Sequence, residues 1–156
     1  MLLKKSTIVL VLLVLLVGIA TASASAAKAD LSKNGYTVAS GYNVNGAQVA
    51  SSNSQFSAMT AQYSIKQGQT NWHYKTISQG CPGYVIDLNW GNSANSLQLT
   101  VYCADGTVLG PFTDGSGGRI DGRIYLYLSK SGGLPGGTYY HAVYGARVSG
   151  IQYYTF

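Results

Sequence analysis

The sequence predicts an all-β protein, a jelly-roll-like antiparallel β-sandwich of about seven to nine strands. Three observations carry this. The run from Tyr84 to Gly106, YVIDLNWGNSANSLQLTVYCADG, sets two stretches of alternating apolar and polar residues around an Asn- and Ser-rich loop and closes on Ala104-Asp105-Gly106. Alternation with period two is the signature of a half-buried strand. Beyond residue 26 the chain is rich in Gly, Ser, Thr, Asn and Tyr and contains no glutamate. Tyr and Thr suit pleated surfaces and Gly and Asn punctuate turns, whereas a helical domain needs more straight-chain residues. Finally, candidate strands recur about every ten residues with strong turn signals between them, as in a sandwich and unlike a parallel sheet.

The first segment stands outside this pattern. Lys4 and Lys5 precede an apolar run, Ile8 to Ala20, followed by small residues at Ala22, Ala24 and Ala26. This is the order of a secretory signal peptide over residues 1–26. The run has 13 residues, short of the roughly 20 a spanning helix needs. A membrane is therefore expected as a partner only through an uncleaved signal segment, and the expected location is secreted or cell-surface. Cleavage leaves about 130 residues, enough for one core.

Residues 27–54 are polar and low in bulk, with weak strand candidates at Tyr36-Thr-Val-Ala and Gln48-Val-Ala. They form either first strands or a spacer. The sandwich proper is expected over residues 55–156. Gln55 to Ile65 reads as a strand, Lys66-Gln-Gly-Gln as a turn, and Thr70 to Ile77 as a strand with Trp72 and Tyr74 on one face and His73 and Lys75 on the other, polar face. Tyr84 to Gly106 reads as a β-hairpin. Tyr84, Ile86, Leu88 and Trp90 face in from its first strand; Leu97, Leu99, Val101 and Cys103 face in from its second, and Gln98, Thr100 and Tyr102 face out. Pro111 to Gly118 reads as a loop. Arg123 to Ser129 is a strand with Ile124, Leu126 and Leu128 inward and Tyr125 and Tyr127 outward. SGGLPGG is a turn, and Thr138 to Tyr144 and Ile151 to Phe156 complete the set.

Charge narrows the partners. After residue 26 eight cations face five aspartates, a net charge of 8 − 5 = +3, and the cations are scattered. Nucleic-acid binding needs a clustered basic stripe, so no nucleic-acid partner is expected. Cys81 and Cys103 are the only cysteines, and export permits a disulfide. If Trp90 opposes Leu97 across the hairpin, Cys103 falls opposite Tyr84, and Pro82-Gly83 turns the chain towards Cys81. A Cys81–Cys103 disulfide is the favoured reading, with two separate buried thiols as the alternative.

Asp114-Gly-Ser-Gly-Gly has a serine-hydrolase look, yet a nucleophilic serine needs a positioned base. Only His73 and His141 are available, and His141 shares the core face with Tyr139 and Val143. The glycines are better explained as turn formers, and no enzymatic activity is expected. Asp105, Asp114 and Asp121 lie near turns, where calcium is conceivable, but the ordered acidic loops of calcium sites are missing. No cofactor is expected, with calcium the sole alternative. The candidate binding surface is aromatic. Tyr125, Tyr127, Tyr140 and Tyr144 are expected on the outward faces of two consecutive strands, forming a ladder if those strands pair, with Arg123 at its margin. Exposed Tyr is frequent at recognition surfaces, and a cell-envelope glycan or an extracellular protein is the expected partner. The alternative is that the tyrosines stabilise the sheet by pairing across it.

The succession IKQGQTNWHYK, YVIDLNW, NSLQLTVYCADGTVLG, LPGGTYYHAVYG and IQYYTF resembles the bacterial pre-peptidase C-terminal domain, which is related to the collagen-binding domains of secreted collagenases. The likeness covers about residues 65–156 and rests on the order of its motifs, since D-G turns and G-T-Y-Y strands each occur widely. It implies a small secreted jelly-roll-like sandwich and, as a second functional reading, an accessory, chaperone-like or inhibitory partner of secreted peptidases. A third reading is a structural component of an extracellular layer. Some relatives bind calcium through acidic residues near the domain's N-terminus. Here Asp30 is the only acid before Asp87, so no such site is carried over.

Overall fold

A computed structural model of the chain describes residues 33–40 and 62–156. The signal-peptide assignment, the candidate Gln48-Val-Ala and the start of the Gln55 to Ile65 strand lie outside the described residues. Nine strands form two antiparallel sheets: β1 (Tyr36–Ser40), β2 (Gln62–Ile65), β3 (Thr70–Ile77), β4 (Cys81–Asn89), β5 (Ser96–Tyr102), β6 (Val108–Phe112), β7 (Arg123–Leu134), β8 (Gly137–Arg147) and β9 (Gln152–Thr155). The five-stranded sheet has the order β1-β7-β4-β9-β2 and the four-stranded sheet β3-β8-β5-β6. Leaving β1 aside, the chain crosses between sheets at almost every connection, and β5–β6 is the one pair of consecutive strands joined by a ladder. This is a jelly roll.

The alternation seen in the sequence sets the core. Tyr84, Ile86 and Leu88 of β4 oppose Leu128, Leu126 and Ile124 of β7 on one inner face. Leu97, Leu99 and Val101 of β5, with Tyr139 and Val143 of β8, form the facing layer, and all are buried. Each such side chain contributes about 1.5–3 kcal/mol by leaving water. Turn residues act where expected. Gly106 has a φ of 81°, and its N–H donates to the Cys103 carbonyl at 3.0 Å. That left-handed conformation is strained for residues with a Cβ.

The stretch from Tyr84 to Gly106 is not a hairpin. β4 pairs with β7 and β9, β5 pairs with β6 and β8, and the two lie in opposite sheets. The loop between them arches across the sandwich, tied by the Trp90 indole, whose N–H donates to the carbonyls of Asn92 at 2.9 Å and Asn95 at 3.2 Å. Alternation specifies which residues face in but not which strand takes the ladder, and an arch buries the same faces as a hairpin. The opposition of Cys103 and Tyr84 inferred from the hairpin therefore does not occur. Both cysteines are free thiols. The Cys81 thiol donates to the Gly83 carbonyl at 3.4 Å, and burial pushes the Cys103 thiol up to about 11.

The loop expected from Pro111 is shorter. β6 runs through Phe112, and a 3-10 turn covers Asp114–Gly117. The buried Asp114 carboxylate accepts the main-chain N–H groups of Asp121, Gly122 and Arg123 at 3.0 to 3.2 Å. Its oxygens thus hold the turn into β7.

Candidate functional site

Two surfaces and one interior seam gather the chemistry-bearing residues. The first surface is the outer face of the four-stranded sheet. Its outward positions follow from the registers Thr70↔Tyr144, Trp72↔Ala142, Tyr74↔Tyr140 and Thr76↔Thr138 between β3 and β8. Tyr144, Ala142 and Tyr140 in turn oppose Gln98, Thr100 and Tyr102 of β5, and Tyr102 opposes Val108 of β6. Tyr74, Tyr140, Tyr102 and Val108 thus make a row across all four strands, and Trp72 and Tyr144 flank it. Every aromatic of this set is exposed, Trp72 by 59% and Tyr74 by 76%. Ala142, between Trp72 and Thr100, has too small a side chain to separate the outer strands' aromatics. The Trp72 indole reaches over it to lie 5.4 Å from the Tyr102 ring at a 43° tilt. The aromatic row itself carries no charge; the charged outward position in these registers is Arg147, exposed opposite Ser96 at the far end of the β5–β8 ladder.

The second surface is the outer face of the five-stranded sheet. Tyr127 lies beside Ala39 of β1 and Val85 of β4, and Tyr125 beside Asp87. The Arg123 guanidinium sits 4.5 Å from the Tyr125 ring centroid and pairs with both Asp87 carboxylate oxygens at 2.7 Å. Both partners are about a third exposed or more, so solvent screens this pair and it contributes little to stability. Its geometry is nonetheless fixed, because two parallel bonds set the guanidinium plane.

The expected tyrosine ladder is therefore split. β7 and β8 do not pair but belong to opposite sheets, so Tyr125, Tyr127 and Arg123 lie on one side of the sandwich and Tyr140 and Tyr144 on the other. Pro135-Gly136 carries the chain from one sheet to the other. Tyr102 is outward as expected. Trp72 and Tyr74, expected opposite the polar face of His73 and Lys75, are the residues of β3 that face out, and the β3-β8-β5 adjacency joins all three to Tyr140 and Tyr144.

The interior seam holds both histidines. His141 faces the core as predicted; its Nε2 lies 2.9 Å from the Tyr84 hydroxyl, and its Nδ1 has no hydrogen-bond partner. Burial, reinforced by the nearby His73 and Lys75, lowers its pKa to about 4, so the ring is neutral near pH 7. His73 departs from expectation: it faces inward opposite His141, half-buried. Its Nε2 lies 2.9 Å from the Tyr154 hydroxyl, and it stacks on Phe156 at 4.4 Å. Burial lowers its pKa as well. Each imidazole is thus engaged with a buried tyrosine. Ser116 caps its own turn, its hydroxyl accepting the Thr113 N–H at 2.9 Å.

Compared with known proteins, the chain matches no family model, no curated protein and no solved structure.

Proposed function

We propose that this chain is an exported, non-catalytic β-sandwich module that binds an uncharged glycan of the cell envelope through the outer face of its four-stranded sheet. The observation that carries the reading is the uncharged row of Tyr74, Tyr140 and Tyr102 with Trp72 packed across it. An exposed aromatic patch of this kind is costly to leave in water and marks an interaction surface. Sugar rings present apolar C–H faces that lie flat on aromatic rings, and their hydroxyls pair with hydroxyl and amide side chains. Thr70, Thr76, Thr138, Thr100 and Gln98 stand between the rings to supply such groups. The aromatic row carries no charge with which to select an acidic or basic polymer.

The signal-peptide pattern supports the extracellular setting, as does the resemblance to pre-peptidase C-terminal domains. The test is co-sedimentation of the protein with purified envelope glycans over a range of salt. Binding to neutral polymers that is unchanged between low and high ionic strength supports the reading, because stacking is not screened. Binding restricted to charged polymers and abolished by salt contradicts it.

A further inference from the structure

We infer that the open edge of β4 at residues 84–87 is a docking slot for an extended polypeptide strand, one apolar side chain of which enters the cavity beside it. This site borders the glycan face at Tyr74, but it is argued from β4 and does not depend on glycan binding.

The ladder leaves the edge bare. β4 pairs with β7 along its length, but on its other side only Asn89 meets a strand, at Thr155 of β9. Among the described residues no strand lies beside 84–87 on that side. In an antiparallel sheet alternate residues direct their N–H and C=O groups to opposite neighbours, so half of these groups aim at the vacant side. Such an edge is a template for an added strand.

A cavity of about 230 Å³ runs along the same residues. Tyr84 and Ile86, which face inward, and Val85 and Asp87, which face outward, all line it. Consecutive residues from both faces of one strand meet a single cavity only at that strand's edge. The space exceeds the ~150 Å³ cavity that accommodates benzene, so it takes a Phe or Leu side chain. The other walls are Tyr74 and Lys75 of β3, Phe156, and His141 of β8. His141 is 2% exposed and brings a nitrogen without a partner. Lys75 and Asp87 bring the charged groups of the lining, and the Asp87 carboxylate is already paired with Arg123. Unpaired ladder positions and aromatic walls together fit a peptide backbone with an apolar side chain. The Asn89↔Thr155 pair fixes the register: a strand antiparallel to β4 in the line of β9 sets alternate residues beside Asp87 and Val85.

The test begins with a random short-peptide library displayed on phage and panned on the intact protein. A selected peptide is then synthesised in three forms: unmodified, N-methylated at one set of alternate amides, and N-methylated at the other set. The slot predicts amide shifts and slowed hydrogen exchange at residues 84–88. It also predicts a loss of about tenfold or more for one methylated set and little change for the other, because two lost hydrogen bonds are worth about that factor. Several results overturn it: a library that yields no binder, equal affinity of both methylated forms, or shifts confined to the Trp72 and Tyr140 face. So does protection of amides 84–87 already present in the free protein, whether through another segment of this chain or, if it rises with concentration, a second copy.

Discussion

The buried His141–Tyr84 pair makes the fold sensitive to acid in a calculable way. In the unfolded chain the imidazole titrates near its ordinary value of about 6.5, whereas in the folded protein burial holds it at about 4. A depressed histidine pKa means that the unfolded state binds the proton first, so stability is complete at neutral pH and falls as the pH drops through this interval. Between about pH 7 and pH 4.5 this one group withdraws about 2 kcal/mol, equivalent to roughly 8 °C in Tm. His73, also depressed by burial, acts in the same direction. The perturbation that isolates the larger share is His141→Phe, which fills similar space and does not titrate. It leaves the Tyr84 hydroxyl without its partner and lowers stability near pH 7 by about 1 kcal/mol, but it flattens the acid slope, so the deficit closes as the pH falls towards about 4.5. Urea unfolding of both proteins from pH 7 to 4.5 measures the difference. A slope identical in the two proteins, or a wild type that gains stability on acidification, refutes the assignment.

Three further outcomes follow from the packing. Gly83→Ala places a Cβ 2.5 Å from the Tyr127 hydroxyl and 2.6 Å from the Leu128 carbonyl, and loses about 1–3 kcal/mol of stability in denaturant unfolding because the main-chain carbonyl cannot yield. Asp114→Ala leaves the N–H groups of Asp121, Gly122 and Arg123 without their acceptor, lowering the urea midpoint by the equivalent of about 3 kcal/mol. Leu99→Ala, at a fully buried position of β5, costs about 2–5 kcal/mol in the same assay.

The sequence and the structure agree where the physics is local and part where it is not. Alternation placed Tyr84, Ile86 and Leu88, and Leu97, Leu99 and Val101, on inward faces, because a strand's side chains alternate whatever lies beside it. Gly106 marked a real turn for an equally local reason, whereas the turn expected across SGGLPGG narrows to Pro135-Gly136, because β7 runs on through Leu134 and β8 begins at Gly137. Ladder partners are set by contacts distant in the chain, and nothing in the run through Gly91 and Asn95 distinguishes an arch between sheets from a hairpin within one. The same non-locality split Tyr125 and Tyr127 from Tyr140 and Tyr144. His73 was read as solvent-facing because its strand has a polar side, yet β3 is an edge strand. There the inward face is only half-covered and accepts a polar ring that bonds Tyr154 and stacks on Phe156. The cavity beside β4 had no signal in the sequence, since it exists only because β9 meets β4 at a single residue pair.

The most direct test of the glycan-binding account compares the two outer faces in one experiment. Binding of the intact protein to a purified neutral envelope glycan is measured for Trp72→Ala and Tyr140→Ala on one face and for Tyr127→Ala on the other, with folding of each checked by its unfolding midpoint. The account predicts that the first two variants lose about tenfold or more in affinity, while Tyr127→Ala binds as the unmodified protein does. Retained binding in Trp72→Ala and Tyr140→Ala, with loss in Tyr127→Ala, contradicts it and moves the ligand to the opposite sheet.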